Sequence, residues 1–413
     1  MKRFYATATL AILCLSIVLS LSFTVYAQQT ESWPMFHGDL AHTGYTNAAG
    51  PSTNQTLWTF NTHSDVWTSP AVVNGIVYVA SFDRNLYALN ASTGTKIWSF
   101  PLNAQTFSSP AVSNGIVYIG SDDYNLYAVN AATGALAWKY TTGSYVQSNP
   151  TVSGGIVYIG SSDNNLYAIN ASSGVRLWNF TTGGDVISSA AISNGAVYFG
   201  SYDHKIYALD ASSGAEKWNF TTGSVVQSSP VVGDGKVFVG SYDNQTYALN
   251  ADTGTLAWKV NTGYDQCVQA SPGFANGIVY TGGSFDNNVY ALDAATGSTK
   301  WYYTTGAGIF TAPTIAGNTE YLGSLDNKTY ALNAQTGTLV WSYQTGGNIY
   351  SSPAVVNGIA YFGSYDGNVY AIGQLSNPVP EIPSSSASYI IAAAAISLVV
   401  VAVAAIMLRK RHE

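Results

Sequence analysis

The chain has 413 residues and a formal net charge of −7; only 9% of its residues are charged, against about 25% in ordinary soluble domains. Residues 28–384 hold 21 acidic and 10 basic side chains, which argues against a nucleic-acid partner, since that needs a basic face. Ser, Thr, Asn, Gly and Tyr fill the chain instead, a composition that agrees with life outside the cell.

In chain order, residues 1–27 read as a secretory signal peptide. Lys2 and Arg3 form the charged start, Ala8–Phe23 the apolar core, and Val25-Tyr26-Ala27 the cleavage site. Cys14 lies in this segment, preceded by a Leu that does not suit lipoprotein cleavage. Cys267 is then the single mature cysteine, so no disulfide framework forms within one chain. Residues 28–56 form an N-terminal segment that belongs to no repeat.

From residue 57 to 373 one unit recurs. Trp58, Trp98, Trp138, Trp178, Trp218, Trp258, Trp301 and Trp341 are spaced by 40 residues, with one interval of 43, a period that marks a repeat architecture. In the second copy, 109–112, 116–120, 126–130 and 135–140 are strand-like runs rich in Val, Ile, Tyr and Trp. Asn114-Gly115 between the first two is a hairpin signal, because both residues accept positive φ. Four antiparallel strands per repeat, with no helical period between them, predict an all-β propeller.

A loop aspartate recurs at Asp83, Asp123, Asp163, Asp203, Asp243, Asp286, Asp326 and Asp366. A strand tyrosine recurs at Tyr87, Tyr127, Tyr167, Tyr207, Tyr247, Tyr290, Tyr330 and Tyr370. Both count eight blades. The eighth copy stops at Gly373 without its Trp strand, so residues 57–61, around Trp58, are expected to complete it and leave no open sheet edge.

The linkers between blades predict a channel rim. Three places before each recurring Pro (Ala190 in the fourth copy), blades seven, eight, one and two carry Phe310, Tyr350, Trp67 and Phe107. Blades three to six carry Gln147, Ile187, Gln227 and Gln269. In a closed ring the aromatics are neighbours facing a mostly amide arc, an arrangement suited to stacking on one side and hydrogen bonding on the other. A plain plug for the channel is the alternative use of the same side chains.

Residues 374–388 form a Pro/Ser-rich spacer, 389–408 an apolar run of bilayer-spanning length, and 409–413 a basic tail that stays cytoplasmic. This end resembles the C-terminal sorting signals of archaeal surface proteins, with Pro380-Glu381-Ile382-Pro383-Ser384 at the place of their motif. Sequons at Asn54, Asn90, Asn170, Asn179, Asn219, Asn244 and Asn327 are candidate glycan sites.

The segment Trp33–Tyr45 and the pattern Ala88-x-Asn90-x-x-x-Gly94-x-x-x-Trp98 together resemble the pyrroloquinoline-quinone-like propeller family. The resemblance implies that the eight tryptophans dock blade against blade, each worth about 3–5 kcal/mol on truncation. It also raises the family's redox chemistry, which uses adjacent cysteines, calcium and a catalytic Asp. This chain has no Cys-Cys pair, so no catalytic residue, cofactor-binding residue or metal ligand is assigned. A quinone or a calcium ion on the ring of loop aspartates stands as the alternative. His37, His42, His63, His204, Asp185 and Asp265 form no cluster with metal spacing. The expectation is a monomeric, membrane-anchored extracellular module that binds a protein or glycan without catalysis. A quinone-linked dehydrogenase and an envelope-assembly scaffold are the alternatives.

Overall fold

The computed structural model describes residues 31–263 and 268–374. The expected signal peptide, spacer, apolar run and basic tail lie outside the described residues, as do Asp265 and Cys267. Among the described residues there is no helix, and none therefore long and apolar enough to cross a membrane.

Eight sheets form. In blade two the strands are Ala111–Ser113, Ile116–Gly120, Asn125–Asn130 and Leu136–Thr141, paired antiparallel in that order. Asn114 (φ 49°) and Gly115 (φ 75°) make the first hairpin with the left-handed pair that strand twist favours. Thr56–Asn61 pairs antiparallel with Asn368–Gly373, so the start of the repeat region completes the last blade and the ring closes.

The second and third strands bury both faces, so the core is a series of seams between blades. Tyr78, Leu86 and Ala88 of blade one pack on Val117, Ile119 and Tyr127 of blade two. Tyr118, Leu126 and Ala128 on the other face of blade two meet Val157, Ile159 and Tyr167 of blade three.

Each tryptophan ties such a seam at its outer end. A bulge between Leu136 and Trp138 shifts the outer strand of blade two, and bulges re-aim side chains. Trp98 Nε1 donates to the Ala131 carbonyl of the next blade (3.0 Å), and Tyr78 Oη donates to the same oxygen (3.2 Å). Trp58, Trp138, Trp178, Trp218, Trp258 and Trp301 make the matching bond to Ala91, Ala171, Ala211, Ala251, Ala294 and Ala334. Trp341 and Tyr321 donate to Pro51 instead (3.1 and 3.0 Å), because the chain leaves blade eight before that corner and the N-terminal segment stands in.

The glycine of the motif lies against the indole. Gly134 has φ +72°, and a Cβ there would come within 2.8 Å of Trp98, whereas Gly115 (φ +75°) has nothing within 4 Å. Gly115→Ala should therefore show only the left-handed strain of about 1–2 kcal/mol. Gly134→Ala should lose measurably more, because it also displaces the indole. Urea unfolding of both variants compares them; equal losses would mean the glycine–indole contact carries no weight.

The N-terminal segment is the one large departure from expectation. An innermost strand presents unpaired N–H and C=O groups to the channel, and residues 33–46 run around the channel pairing them blade by blade. The N–H groups of Val72, Val112, Ile192, Val232, Phe274 and Ile315 donate to the carbonyls of Trp33, Pro34, Leu40, Ala41, Thr43 and Gly44, at 2.6–2.9 Å. Tyr45–Thr46 adds parallel to Ile315–Ala316, which makes blade seven five-stranded where four strands were expected. The segment belongs to no blade in sequence yet bonds to most of them.

Candidate functional site

At the channel mouth lies a cup of about 260 Å³, to whose lining the strap formed by residues 33–46 contributes Phe36. Each blade contributes two lining residues from the linker that precedes its first strand. The upper ring is Trp67, Phe107, Gln147, Ile187, Gln227, Gln269, Phe310 and Tyr350. The lower ring is Ser69, Ser109, Asn149, Ser189, Ser229, Ser271, Ala312 and Ser352. Phe36 of the strap and Tyr202 complete the lining. All eight rim positions read from the sequence thus meet around one cavity.

The lower ring is a hydrogen-bonded belt. The Ser69 N–H donates to Ser109 Oγ (2.9 Å), Ser109 to Asn149 Oδ1 (2.6 Å), Asn149 to Ser189 Oγ (2.9 Å), Ser189 to Ser229 Oγ (3.0 Å) and Ser229 to Ser271 Oγ (2.9 Å). It resumes from Ala312 to Ser352 Oγ and from Ser352 to Ser69 Oγ, both 2.9 Å. The break falls where Ala312 replaces the serine. The signal was present in the sequence, as the residue before each recurring Pro.

The aromatic arc is packed upon itself. Trp67 stacks on Tyr350 with centroids 4.1 Å apart, lies parallel to Phe82 at 6.5 Å, and meets Phe107 edge-on at 5.3 Å. Phe310 touches Tyr350 at 5.6 Å and the exposed Phe285 at 5.5 Å. Trp67 is therefore one face of a continuous apolar wall. Phe82, Phe285 and Tyr365 joined this cluster unforeseen; they are the residues immediately before the loop aspartates.

The amide arc is likewise partly engaged. Gln227 Oε1 accepts from Tyr202 Oη (2.8 Å) and lies against Tyr242 Oη; Gln269 Oε1 is 3.2 Å from the same Tyr242 hydroxyl, whose one proton the two amides share. Gln147 donates to Asp122 Oδ1 (3.0 Å). Burial pushes the Asp122 carboxyl up, while hydrogen bonds from Gln147 and Gln105 pull it down.

The loop aspartates stand apart from the cup and hold the blades. Asp163 Oδ1 accepts the Asn165 N–H (3.1 Å), and its Oδ2 accepts Tyr167 Oη (2.7 Å) and the Gly143 N–H (2.6 Å). Tyrosine hydroxyls donate likewise to Asp83, Asp123, Asp203, Asp243, Asp286, Asp326 and Asp366. Among the described residues no three His, Cys, Asp or Glu side chains group to hold a metal.

Of the histidines, His63 and His204 occupy exposed left-handed turns, while His37 and His42 are buried in the strap. The His37 imidazole donates from Nδ1 to the His42 carbonyl (2.7 Å), and His42 Nε2 lies 3.1 Å from Thr151 Oγ1 of blade three. Burial lowers His37 to about 4 and His42 to about 3. Of the sequon asparagines, Asn54, Asn179 and Asn219 are exposed and Asn90, Asn170, Asn244 and Asn327 half-buried. Asn90 and Asn170 cap turns through Oδ1.

The model of the family described as outer membrane protein assembly factor BamB matches residues 43–185, 181–271 and 263–377. No curated protein matches. Among solved structures, BamB from Moraxella catarrhalis is similar at 20% identity and TM-score 0.67, over 78% of this chain and 99% of that one. A europium-containing methanol dehydrogenase aligns at 14% identity and TM-score 0.74, over 84% and 99%. Quinohemoprotein alcohol dehydrogenase from Comamonas testosteroni aligns at 19% and TM-score 0.70, over 86% and 82%. At these identities the structures share the fold, and it is the family match over most of the sequence that places this chain: it belongs to the BamB-like family of quinone-type repeat propellers.

Proposed function

We propose that the protein is a binding module held at the outer face of a cell membrane, and that the cup at the channel mouth is where it takes its ligand. The observation that carries this reading is the lining. Eight linkers deliver an apolar wall and an amide arc into one cavity, to which the strap adds Phe36. No His, Cys, Lys, Arg or carboxylate is among the lining residues, so the serine hydroxyls of the lining have no histidine, lysine or carboxylate among them to activate one as a nucleophile. The expected signal peptide, the apolar run 389–408 and the exposed sequons support an outside location with a C-terminal anchor and attached glycans.

The similarity to quinone-dependent dehydrogenases favours one other reading. A pyrroloquinoline quinone carries three carboxylates, and the cup offers neither Lys nor Arg to meet them; its residues do not fit that group. A scaffold role in envelope assembly, suggested by the family's description, is compatible with the same cup acting on a protein partner.

The test is a pull-down from native membranes with the anchored full chain. The partner recovered with the parent should be lost with Trp67→Ala or Gln227→Ala and kept with Val175→Ser, a change on the outer surface where Val175 is 61% exposed. Equal recovery by all three would remove the cup from the account. Incubation with the quinone and calcium should leave no bound chromophore.

A further inference from the structure

Resting on the reading of the cup as a ligand site, we propose that its ligand is a neutral sugar ring, entering end-on and presenting its oxygens to the serine belt. The argument starts from what the belt has left to give. Ser69, Ser109, Ser189, Ser229, Ser271 and Ser352 each accept a backbone N–H on Oγ, so each still has a hydroxyl proton to place. All six line the cavity. Hydroxyl groups keep both donor and acceptor capacity, and a ring of them around one throat is matched by a ligand dense in oxygen.

The upper ring selects in the same direction. Gln227 Oε1 faces the hydroxyls of Tyr202 and Tyr242, the second shared with Gln269, so the group this amide has left to offer is its NH2, a donor. A peptide backbone brings donors and acceptors in fixed alternation, whereas each sugar hydroxyl can donate or accept as its neighbour requires, which suits a ring where the Gln147 NH2 group is spent on Asp122 while that of Gln227 remains to be placed. Opposite lies the apolar wall around Trp67, Tyr350 and Phe310, which a pyranose can meet with its C–H face. No charged side chain lines the cup, so an ionised ligand would lose its hydration without gaining a counter-charge. Size agrees: about 260 Å³ lies below the roughly 300–1,000 Å³ of pockets for drug-sized ligands and suits one ring, the end of a glycan.

Saturation-transfer NMR on the full chain in a sugar-free detergent tests this. The probes are the methyl pyranosides of glucose, galactose and mannose, with methyl glucuronate and an N-acetyl tripeptide amide as comparisons. At least one neutral pyranoside should bind, more tightly than the glucuronate. Its affinity should fall at least tenfold in Gln227→Leu and in Ile187→Trp, which fills the cup, with melting unchanged in both. Binding of a neutral pyranoside that survives both substitutions would overturn the assignment. Cup-dependent binding of the tripeptide or glucuronate alone would overturn the sugar while leaving the cup as the ligand site. No binding by any probe, together with a partner pull-down indifferent to Ile187→Trp, would overturn both.

Discussion

Replacing Glu320 by valine is expected to stabilise the propeller by about 2–4 kcal/mol at pH 8. Glu320 is fully buried in the second strand of blade seven, and neither carboxyl oxygen has a hydrogen-bond partner among the described residues. It pairs in register with Leu332, whose face packs against blade six, and the phenol of Tyr280 there feels its charge. The same position is Val77, Val117, Val157, Val197, Val237 and Val279 in blades one to six and Ala360 in blade eight, so the seam is built for a small apolar group. Burial pushes the Glu320 carboxyl well above its usual range. The sign follows: an unfolded glutamate ionises near pH 4.3, while the folded one keeps its proton. The unfolded state is therefore favoured progressively as pH rises past that value, until the folded group also ionises. The gain from Glu320→Val should be small at pH 4 and grow toward pH 8. Calorimetric melting of both proteins across that range measures it, and a pH-independent difference would mean the carboxyl finds a partner in solution.

Acidification acts through the strap with the opposite sign. His37 and His42 are held neutral by burial, near 4 and 3, whereas an unfolded histidine protonates near 6.5. Below that pH the unfolded chain binds protons that the folded one refuses, so stability falls as pH drops, on the order of 5 kcal/mol in all by pH 4. Glu320 offsets part of this in the parent, because its folded form holds a proton over the same interval. Asp39, pushed up by burial and bonded by Thr43, offsets more at the acid end. The histidine effect should therefore appear in full only in the Glu320→Val background, as a melting temperature that falls steadily from pH 7 to 4. His42→Asn in that background should flatten the slope. Asparagine tolerates the left-handed backbone (φ 58°) that position 42 adopts. An unchanged slope would place the proton uptake elsewhere.

The repeat made the ring legible in advance. A repeat whose first hairpin is Asn114-Gly115 and whose outer strand carries Trp138 has little freedom to be anything else, and the unpaired final copy demanded the strand around Trp58. Rim positions were legible for the same reason, since register fixes which linker residue faces the axis. What register cannot supply is how unlike side chains share space. Phe82, Asp122 and Tyr365 occupy one repeat position yet do different things, stacking on Trp67, bonding Gln147, or packing on Tyr350. The strap was least legible, because residues 33–46 have neither period nor alternation. Their structure is dictated by the unpaired N–H groups of Val72, Val112, Ile192, Val232, Phe274 and Ile315, which are far away in sequence. Glu320 and the two histidines gained their properties only from that assembly.

The cup as the site of contact is tested most directly by placing a benzophenone side chain at Ile187, inside the mouth, and at Val175, on the outer surface, in the full chain in its native cells. Ultraviolet exposure should yield a covalent adduct from position 187 that disappears when Trp67→Ala is added, and none from position 175. Adducts from 175 alone, or a 187 adduct indifferent to the loss of Trp67, would place recognition outside the channel mouth.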